Sequence, residues 1–294
     1  MRRLEFYWLD VFSDRELEGN QLAVFPNAED ISGGEMQKIA LEMNLSETAF
    51  VTGIKHGVKA EETFNTRIFT KEGELPFAGH PTLGTSFLLR KLHNLKDVTL
   101  NLKVGDIPVK FREDSIGLYG EMGQNEPVFG NIHEYTVIAD IFNVPVEELD
   151  NSVPIQTVST GNPFILVPFR NLRTLQNIRP DYGKMADYIK WSDARFFYSL
   201  CFQTVNSDAH AHARMVFYGG EDPATGSAAG PATAWMLKYG LLKPDKLAIF
   251  EQGMEINRPS RIYVRGSITG GVPRNIRVGG YCSIVGKGEI YLSS

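Results

Sequence analysis

The sequence contains few cysteines and no long hydrophobic run. Only Cys201 and Cys282 occur in 294 residues, and their wide spacing excludes a disulfide-built scaffold and a close-spaced metal or redox motif. No stretch approaches the roughly 18 consecutive apolar residues that a membrane-spanning helix needs. Glu5 and Asp10 interrupt the apolar segment behind the N-terminal arginines, so a signal peptide is not expected. These features predict a cytoplasmic protein that is neither exported nor inserted in a membrane.

An excess of charge of one sign is also lacking. The chain has 30 Lys and Arg against 35 Asp and Glu, a formal net charge of −5, which gives no electrostatic reason to expect nucleic acid or an anionic membrane as partner. Neither a Gly-x-Gly-x-x-Gly motif nor a P-loop occurs, so a bound nucleotide is not predicted. His210 and His212 could lie on one strand face, but a third metal ligand with suitable spacing is not visible. We therefore predict no metal and no cofactor.

Two short motifs recur at a constant separation. Gly19-Asn20 precedes the apolar residues 22–25, and Gly161-Asn162 precedes the apolar residues 164–167, which is 142 residues further on. Residues 80–85 (HPTLGT) resemble residues 222–227 (DPATGS) at the same separation of 142. Ordered repeats at one separation indicate an internal duplication, although two unrelated α/β domains remain the alternative.

The local patterns favour an α+β fold. Met36, Ile39, Ala40 and Met43 recur at the spacing of an amphipathic helix. The remaining expected elements are strands at 4–12 and 45–51, helices at 85–93 and 228–242, and a turn-rich connection at 266–274. Because a chain of this length suits two domains, we predict two pseudo-symmetric domains, each a strongly bent, mostly antiparallel sheet around a central helix. The predicted boundaries are 1–125 and 126–294, and the last strands can pair back with the first domain.

The second repeated motif predicts where the chemistry lies. Pro81 and Pro223 suit the first position of a helix, which would make His80 and Asp222 the preceding N-cap residues. If the two halves are related by a pseudo-twofold axis, two helix N-termini converge on one cleft. Their free N–H groups and positive dipole ends would favour an anion such as a substrate carboxylate.

Taken singly, the candidate residues also have ordinary structural interpretations. Asp222 could act only as a helix cap, and Ser227 and Thr85 could bond only within the first helical turn. Glu47, within Leu45-Ser46-Glu47-Thr48-Ala49-Phe50, could be a solvated strand end. The residue pattern alone leaves these alternatives open.

Three long blocks resemble the phenazine-biosynthesis-like (PhzF-like) proteins, which are relatives of diaminopimelate epimerase. The first block contains Asp10-Val11-Phe12, Gly19-Asn20 and residues 36–51, which include Asn44-Leu45-Ser46-Glu47. The second block is residues 74–85 (ELPFAGHPTLGT), and the third is residues 221–230 (EDPATGSAAG). The blocks are ordered and run through most of the chain. Gln21, where the family often has proline, is a modest departure.

The resemblance implies a cofactor-independent isomerase, a homodimer, and a fold like that of the epimerase. It also implies the site residues: Glu47 as the acid–base residue, His80 and Asp222 as assisting residues, and Ser46, Gly79, Gly226 and Ser227 around a small carboxylate substrate that is possibly cyclic. An epimerase or racemase of a small acid, and a non-catalytic binding protein with the same fold, are the alternative functions.

Two details bear on these alternatives. The epimerase branch uses two opposed cysteines, whereas Cys201 and Cys282 lie outside both motifs, which argues against a two-thiol racemase. Ile189 lies 142 residues after Glu47, so a second glutamate is not expected to face the first. This asymmetry favours moving a proton on one face of the substrate over inversion between two faces.

Overall fold

The computed structural model describes residues 1–56, 62–217 and 219–293. Contacts group the chain into two compact units. The first unit is Met1–Gly123 with Gly279–Ser294, and the second unit is Gln124–Val278. The division at residue 125 and the two predicted domains stay predictions of independently folding regions, and the units are the frame used below.

The first unit contains a sheet and two helices. Its strands are Arg2–Val11 (β1), Asn20–Phe25 (β2), Glu47–His56 (β3), Glu62–Phe69 (β4), Glu74–Leu75 (β5), Val98–Leu102 (β6), Gly105–Glu113 (β7), Leu118–Gly123 (β8) and Cys282–Leu292 (β18), and its helices are Gly33–Met43 (α1) and Gly79–His93 (α2). β1 pairs antiparallel with β2 and with β18. The pairs β2–β3 and β4–β6 are parallel, whereas β3–β4, β4–β5, β6–β7 and β7–β8 are antiparallel.

The second unit has the same succession of elements with a longer helical segment. Its strands are Val128–Ile132 (β9), Gln156–Ser159 (β10), Pro163–Phe169 (β11), Phe196–Cys201 (β12), Ala211–Phe217 (β13), Gly220–Asp222 (β14), Ala248–Gln252 (β15), Ser260–Thr269 (β16) and Val272–Gly280 (β17), and its helices are Tyr135–Phe142 (α3), Leu172–Gln176 (α4), Tyr182–Trp191 (α5) and Gly226–Lys238 (α6). Short 3₁₀ turns occupy Val146–Glu148 and Met254–Ile256.

The strand pairing of the second unit repeats that of the first. β10 pairs antiparallel with β9 and β11, β11–β12 and β13–β15 are parallel, and β12–β13, β13–β14 and β15–β16 are antiparallel. Each unit is therefore a mixed, mostly antiparallel sheet. The α+β fold class predicted from the sequence is confirmed.

Helix α1 forms where the apolar spacing predicted it. Ser32 and Glu35 make a reciprocal capping box at its start, and Asn44 ends it in the left-handed region at φ 53°. Met36 and Ile39 are buried in a cluster with rings of the neighbouring strands. The sequence spacing thus corresponds to a helix that covers one sheet face.

Helices α2 and α6 are the central helices of their units. Nearly every residue of the first three turns of each helix is buried. A Cβ added at Gly84 would lie 2.7 Å from side-chain atoms of Val11 and Leu22, so glycine lets α2 approach β1 and β2 closely. A helix that is buried on all sides is what a bent sheet around a central helix requires.

The predicted starts of these two helices are wrong. Helix α2 begins at Gly79 after the N-cap Ala78, which makes His80 and Pro81 its second and third residues. Proline is tolerated there because N–H groups of the first turn have no intrahelical acceptor. Helix α6 begins at Gly226, since Asp222 is still paired in β14 and the chain becomes helical only after Thr225.

The separation of 142 residues does not relate these helices either. Pro81 lies inside α2, whereas Pro223 precedes α6, so the two prolines fall on different elements. The helix starts Gly79 and Gly226 are 147 residues apart. The same 147 relates the pairing of Ile68 with Leu75 to that of Met215 with Asp222. The duplication is therefore carried by topology and by a shifted alignment.

The prediction of a turn-rich connection at 266–274 is also wrong. Strands β16 and β17 occupy most of it, and Gly270 and Gly271 form the turn between them, both with positive φ. Among the helices of the described residues, none is long and apolar enough to cross a membrane.

Candidate active site

The pairing of β2 with β3 brings three polar residues to one edge of the first unit. Leu22 is the parallel partner of Glu47, and side chains alternate between the two faces of a strand. Leu22 faces α2 through its contact position at Gly84. Asn20, two residues before Leu22, and Glu47 therefore lie on the face that α2 covers.

Glu47 is a half-buried carboxyl group at the start of β3. Its side chain retains 17% of its exposure, and Oε2 is buried without a hydrogen-bond partner among the described residues. Burial raises the pKa of Glu47 to about 7, the hydrogen bond from Ser46 opposes this, and the charge of Glu72 adds to it. A carboxyl group of this pKa exchanges its proton readily near neutral pH.

His80 lies beside this carboxyl group. It is the second residue of α2, its side chain is 5% exposed, and its Nε2 is 3.5 Å from Glu47 Oε2. The structure thus brings together two of the three predicted catalytic residues, Glu47 and His80.

Asn20 completes the group and was not predicted as a site residue. Its Nδ2 lies 3.3 Å from His80 Nδ1, and its Oδ1 accepts a hydrogen bond of 3.4 Å from Ser46 Oγ. Asn20 is 1% exposed, whereas Ser46 is exposed. The available signal was the Gly-Asn dipeptide, which occurs at 19–20 and again at 161–162.

Gly79 is the buried first residue of α2. Within the described residues, no side chain caps this helix start. The N-terminal N–H groups and the positive end of the helix dipole are therefore left to attract an anion.

The second unit holds the other predicted residues. Asp222 ends β14, and its Oδ2 accepts a hydrogen bond of 2.6 Å from Thr225 Oγ1. Gln252 Nε2 donates to the Asp222 carbonyl at 2.7 Å. Gly226 begins α6 and is buried, and Ser227, the next residue, is half-buried. Asp222 is held in place four residues before the helix starts.

A buried ion pair precedes Asp222. Arg214 donates to both carboxylate oxygens of Glu221 at 2.9 and 2.6 Å and also to the carbonyl oxygens of Leu175 and Gln176. The first unit has the same bidentate pair 147 residues earlier, between Arg67 and Glu74, at 2.8 and 2.7 Å. The pattern R-x5-G-E-x-P-x-x-G, at 67–79 and at 214–226, is the repeat signal that the sequence analysis missed.

The two histidines at 210 and 212 do not share a strand face. His210 precedes β13 and is exposed, whereas His212 is fully buried, with Nδ1 2.8 Å from Glu251 and Nε2 2.9 Å from Glu255. Burial lowers the pKa of His212, but the hydrogen bonds to both carboxylates outweigh it and raise that pKa to about 9. His212 is thus a buried cation between two carboxylates. In the part of the chain that the structure describes, no group of three potential ligands could hold a metal ion.

Both cysteines are buried thiols outside the groups described above. Burial raises the pKa of Cys201 and of Cys282. A raised pKa disfavours the thiolate that a cysteine-based proton transfer needs.

The predicted counterpart of Glu47 also changes. Ile189 lies in α5, so it does not correspond to a strand start. In β11 and β12, the parallel partners Phe164 and Phe196 take the places of Leu22 and Glu47. The difference arises because two helices, α4 and α5, separate β11 from β12, whereas α1 alone separates β2 from β3.

Two units of one topology, with a buried near-neutral carboxyl group beside an imidazole in one of them, are typical of enzymes that transfer protons. The family model described as phenazine biosynthesis-like protein (PhzC-PhzF) matches residues 9–288. This chain belongs to that family.

Similar proteins support the same assignment. A trans-2,3-dihydro-3-hydroxyanthranilate isomerase of Pseudomonas aeruginosa is 31% identical, over 97% of this chain and 98% of that protein. The crystal structure of a Bacillus anthracis phenazine biosynthesis protein of the PhzF family has a TM-score of 0.86 at 26% identity, covering 99% of this chain and all of that one. A Pseudomonas aeruginosa protein described as a predicted epimerase has a TM-score of 0.84 at 32% identity, with the same coverage. The chain is an enzyme of the isomerase class, as the sequence predicted.

Proposed function

We propose that this enzyme isomerises a small, carboxylate-bearing cyclic substrate by moving one proton, with Glu47 as the acid–base residue. The observation that carries the proposal is the buried Glu47 carboxyl group, whose pKa lies near 7 and whose Oε2 lacks a hydrogen-bond partner among the described residues. A group of this kind is a base when ionised and an acid after it has taken the proton.

The reaction balances with one residue. The substrate C–H bond breaks and the proton passes to Glu47, while the electron pair enters the adjacent double-bond system. Glu47 then returns the proton to a different carbon, and the double bond shifts. Substrate and product have the same composition, so neither an oxidant nor a reductant is consumed.

A substrate carboxylate fits the helix starts. The uncapped start of α2 at Gly79 offers N–H groups to an anion, and the start of α6 at Gly226 is followed by the Ser227 hydroxyl. A carboxylate also makes the neighbouring C–H more acidic. The relative named above isomerises a dihydro-hydroxyanthranilate, which carries such a carboxylate on a ring. Substrate contacts by Ser46, Gly79, Gly226 and Ser227, assistance by His80 and Asp222, and a homodimeric state belong to this proposal.

Transfer on one face is favoured over epimerisation. Phe196 takes the place of Glu47 in the second unit, so the duplicated frame does not supply a second carboxylate at the matching position. An epimerase normally needs an acid and a base on opposite faces of the substrate. A single carboxyl group that takes and returns the proton suits a shift along one face.

The test uses trans-2,3-dihydro-3-hydroxyanthranilate as substrate in deuterated water. We expect an isomer with the double bonds moved and at most one solvent deuterium at the carbon that receives the proton, measured by NMR and mass spectrometry. The Glu47→Gln variant, which keeps the shape of the side chain, should bind this compound without converting it.

Other outcomes would contradict the proposal. Deuterium at an inverted carbon with unmoved double bonds would indicate an epimerase. Binding with neither exchange nor conversion, for this compound and for ring carboxylates related to it, would indicate a binding protein.

A further inference from the structure

Asn20 is the centre of a chain of polar contacts that ends at Glu47. Ser46 Oγ lies 3.4 Å from Asn20 Oδ1, Asn20 Nδ2 lies 3.3 Å from His80 Nδ1, and His80 Nε2 lies 3.5 Å from Glu47 Oε2. Asn20 is 1% exposed and His80 is 5% exposed. Because both side chains are buried, their donor and acceptor roles must match each other.

The roles follow from the chemistry of the amide. An amide has an acceptor end, Oδ1, and a donor end, Nδ2. The Ser46 hydroxyl donates to the acceptor end, so the donor end faces the imidazole. Nδ1 of His80 then accepts a hydrogen bond and carries no proton, and the proton of the neutral ring lies on Nε2.

We propose that Asn20 is a positioning residue, which holds His80 as the neutral tautomer with its Nε2 proton facing Glu47. His80 is thereby fixed as a donor toward the carboxylate, and Glu47 is left as the group that takes the substrate proton. The kinetic consequence rests on the proposed role of Glu47, whereas the tautomer stands on the contacts alone.

An aspartate at position 20 would reverse this arrangement. A carboxylate accepts but does not donate, so it would attract a proton to His80 Nδ1 and stabilise the imidazolium. The new positive charge would lie 3.5 Å from Glu47 Oε2 and would favour the ionised form of Glu47. The other groups that act on Glu47, the hydroxyl of Ser46 and the charge of Glu72, would stay unchanged.

The first measurement is ¹⁵N NMR of the imidazole nitrogens in the full chain, with the His80 signals assigned by their absence from His80→Gln. Wild type should show a protonated Nε2 and an unprotonated Nδ1 above the pH at which the ring titrates. Asn20→Asp should show both nitrogens protonated at the same pH. A protonated Nδ1 in wild type, or an unchanged pattern in Asn20→Asp, would overturn the tautomer assignment.

The second measurement is the pH dependence of kcat with the ring carboxylate named above. Asn20→Asp should lower kcat by about tenfold to a hundredfold at neutral pH, the scale of a misplaced catalytic group. It should also move the lower limb of the profile to lower pH, because Glu47 ionises more easily. Asn101→Asp, which makes the same change at an exposed side chain that bonds Asp106, should leave both unchanged.

Two further comparisons keep the outcomes distinct. If Asn20→Asp does not fold, Ser46→Ala removes the contact that orients the amide, and it should give a mixture of both neutral tautomers in the NMR spectrum. A confirmed tautomer with an unchanged pH profile would end the positioning role. If wild type itself converts no substrate, the function proposed for Glu47 fails, while the NMR result still decides the tautomer.

Discussion

The two units share a frame and differ at the positions that bear chemistry. Both have the same strand pairing and a bidentate Arg–Glu pair that links the two strands before the central helix. The first unit places Glu47 where the second has Phe196. At the separation of 147 residues, Leu75 corresponds to Asp222 and His80 to Ser227. The duplication kept what holds each sheet to its helix, and the residues at the sheet edge and helix start diverged.

The largest expected effect tests the asymmetry of Glu47 and Phe196. Glu47→Gln should lower kcat by a factor on the order of a hundred or more, because it removes general acid–base catalysis. The measurement is steady-state turnover of the ring carboxylate, with calorimetry to show that the ligand still binds. Phe196→Tyr, a change at the corresponding place in the second unit, serves as the control and should stay within about twofold of wild type, a ratio below 0.5 kcal/mol. Near-normal turnover by folded Glu47→Gln would move the catalytic assignment to His80 or Asp222.

The shared Arg–Glu pairs should differ in stability because their burial differs. Arg214 is 5% exposed and Arg67 is 35% exposed. Arg214→Ala leaves the Glu221 charge buried and should cost about 3 kcal/mol or more, whereas Arg67→Ala should cost about 1 kcal/mol. Denaturant unfolding at pH 7 measures both. Equal losses would show that burial does not distinguish the two copies.

The buried His212 should make the second unit sensitive to alkaline pH. Its folded pKa of about 9 exceeds its ordinary value of 6.5, so its contribution is fully present below pH 6.5 and is lost as the pH rises through about 9. His212→Gln should cost about 3 kcal/mol of unfolding free energy at pH 6, and much less at pH 9.5. The pH series of both proteins gives the difference at each pH. A difference that does not change with pH would mean that His212 is not a buried cation.

The smallest expected effect is a gain in stability. The folded pKa of Glu47, about 7, exceeds its ordinary value of 4.5, so stability from the protonated form is full below pH 4.5 and is lost as the pH rises through about 7. Glutamine resembles the protonated form. Glu47→Gln should therefore raise the free energy of unfolding by about 2 kcal/mol at pH 8 and by almost nothing at pH 4. A loss of stability at pH 8 would show that Glu47 is not strained by burial.

The sequence was sufficient for the fold class and for helix α1, because both depend on local or regular patterns. The spacing of Met36, Ile39 and Ala40 has the period of a helix, and their burial confirms it. The family resemblance supplied the residues Glu47 and His80, which the structure brings within 3.5 Å of each other.

The helix starts could not be placed from the sequence. Proline is compatible with several positions of a first turn and also with the strand end before it, so Pro81 and Pro223 looked equivalent. The actual repeat depends on Arg67 and Arg214, whose partners are known only once β4 and β13 are paired with the short strands that follow them.

The role of Asn20 was hidden for a related reason. Its contacts with Ser46 and His80 span 26 and 60 residues of sequence. They arise from the parallel pairing of β2 with β3 and from the close approach of α2 at Gly84. Side-chain networks of this kind follow from tertiary register, which a single sequence does not contain.

The pairing of β18 with β1 determines the order in which the chain can fold during synthesis. Gln124–Val278 is continuous, so all of its strands are available once residue 278 has left the ribosome. β1 must wait for residues 282–292, which are translated about 280 residues later, before its second edge is covered. Until then it presents an unpaired strand edge, the kind of surface that chaperones protect and that aggregation exploits. Nascent chains of this protein therefore complete their later half first, the reverse of the usual N-terminal-first order.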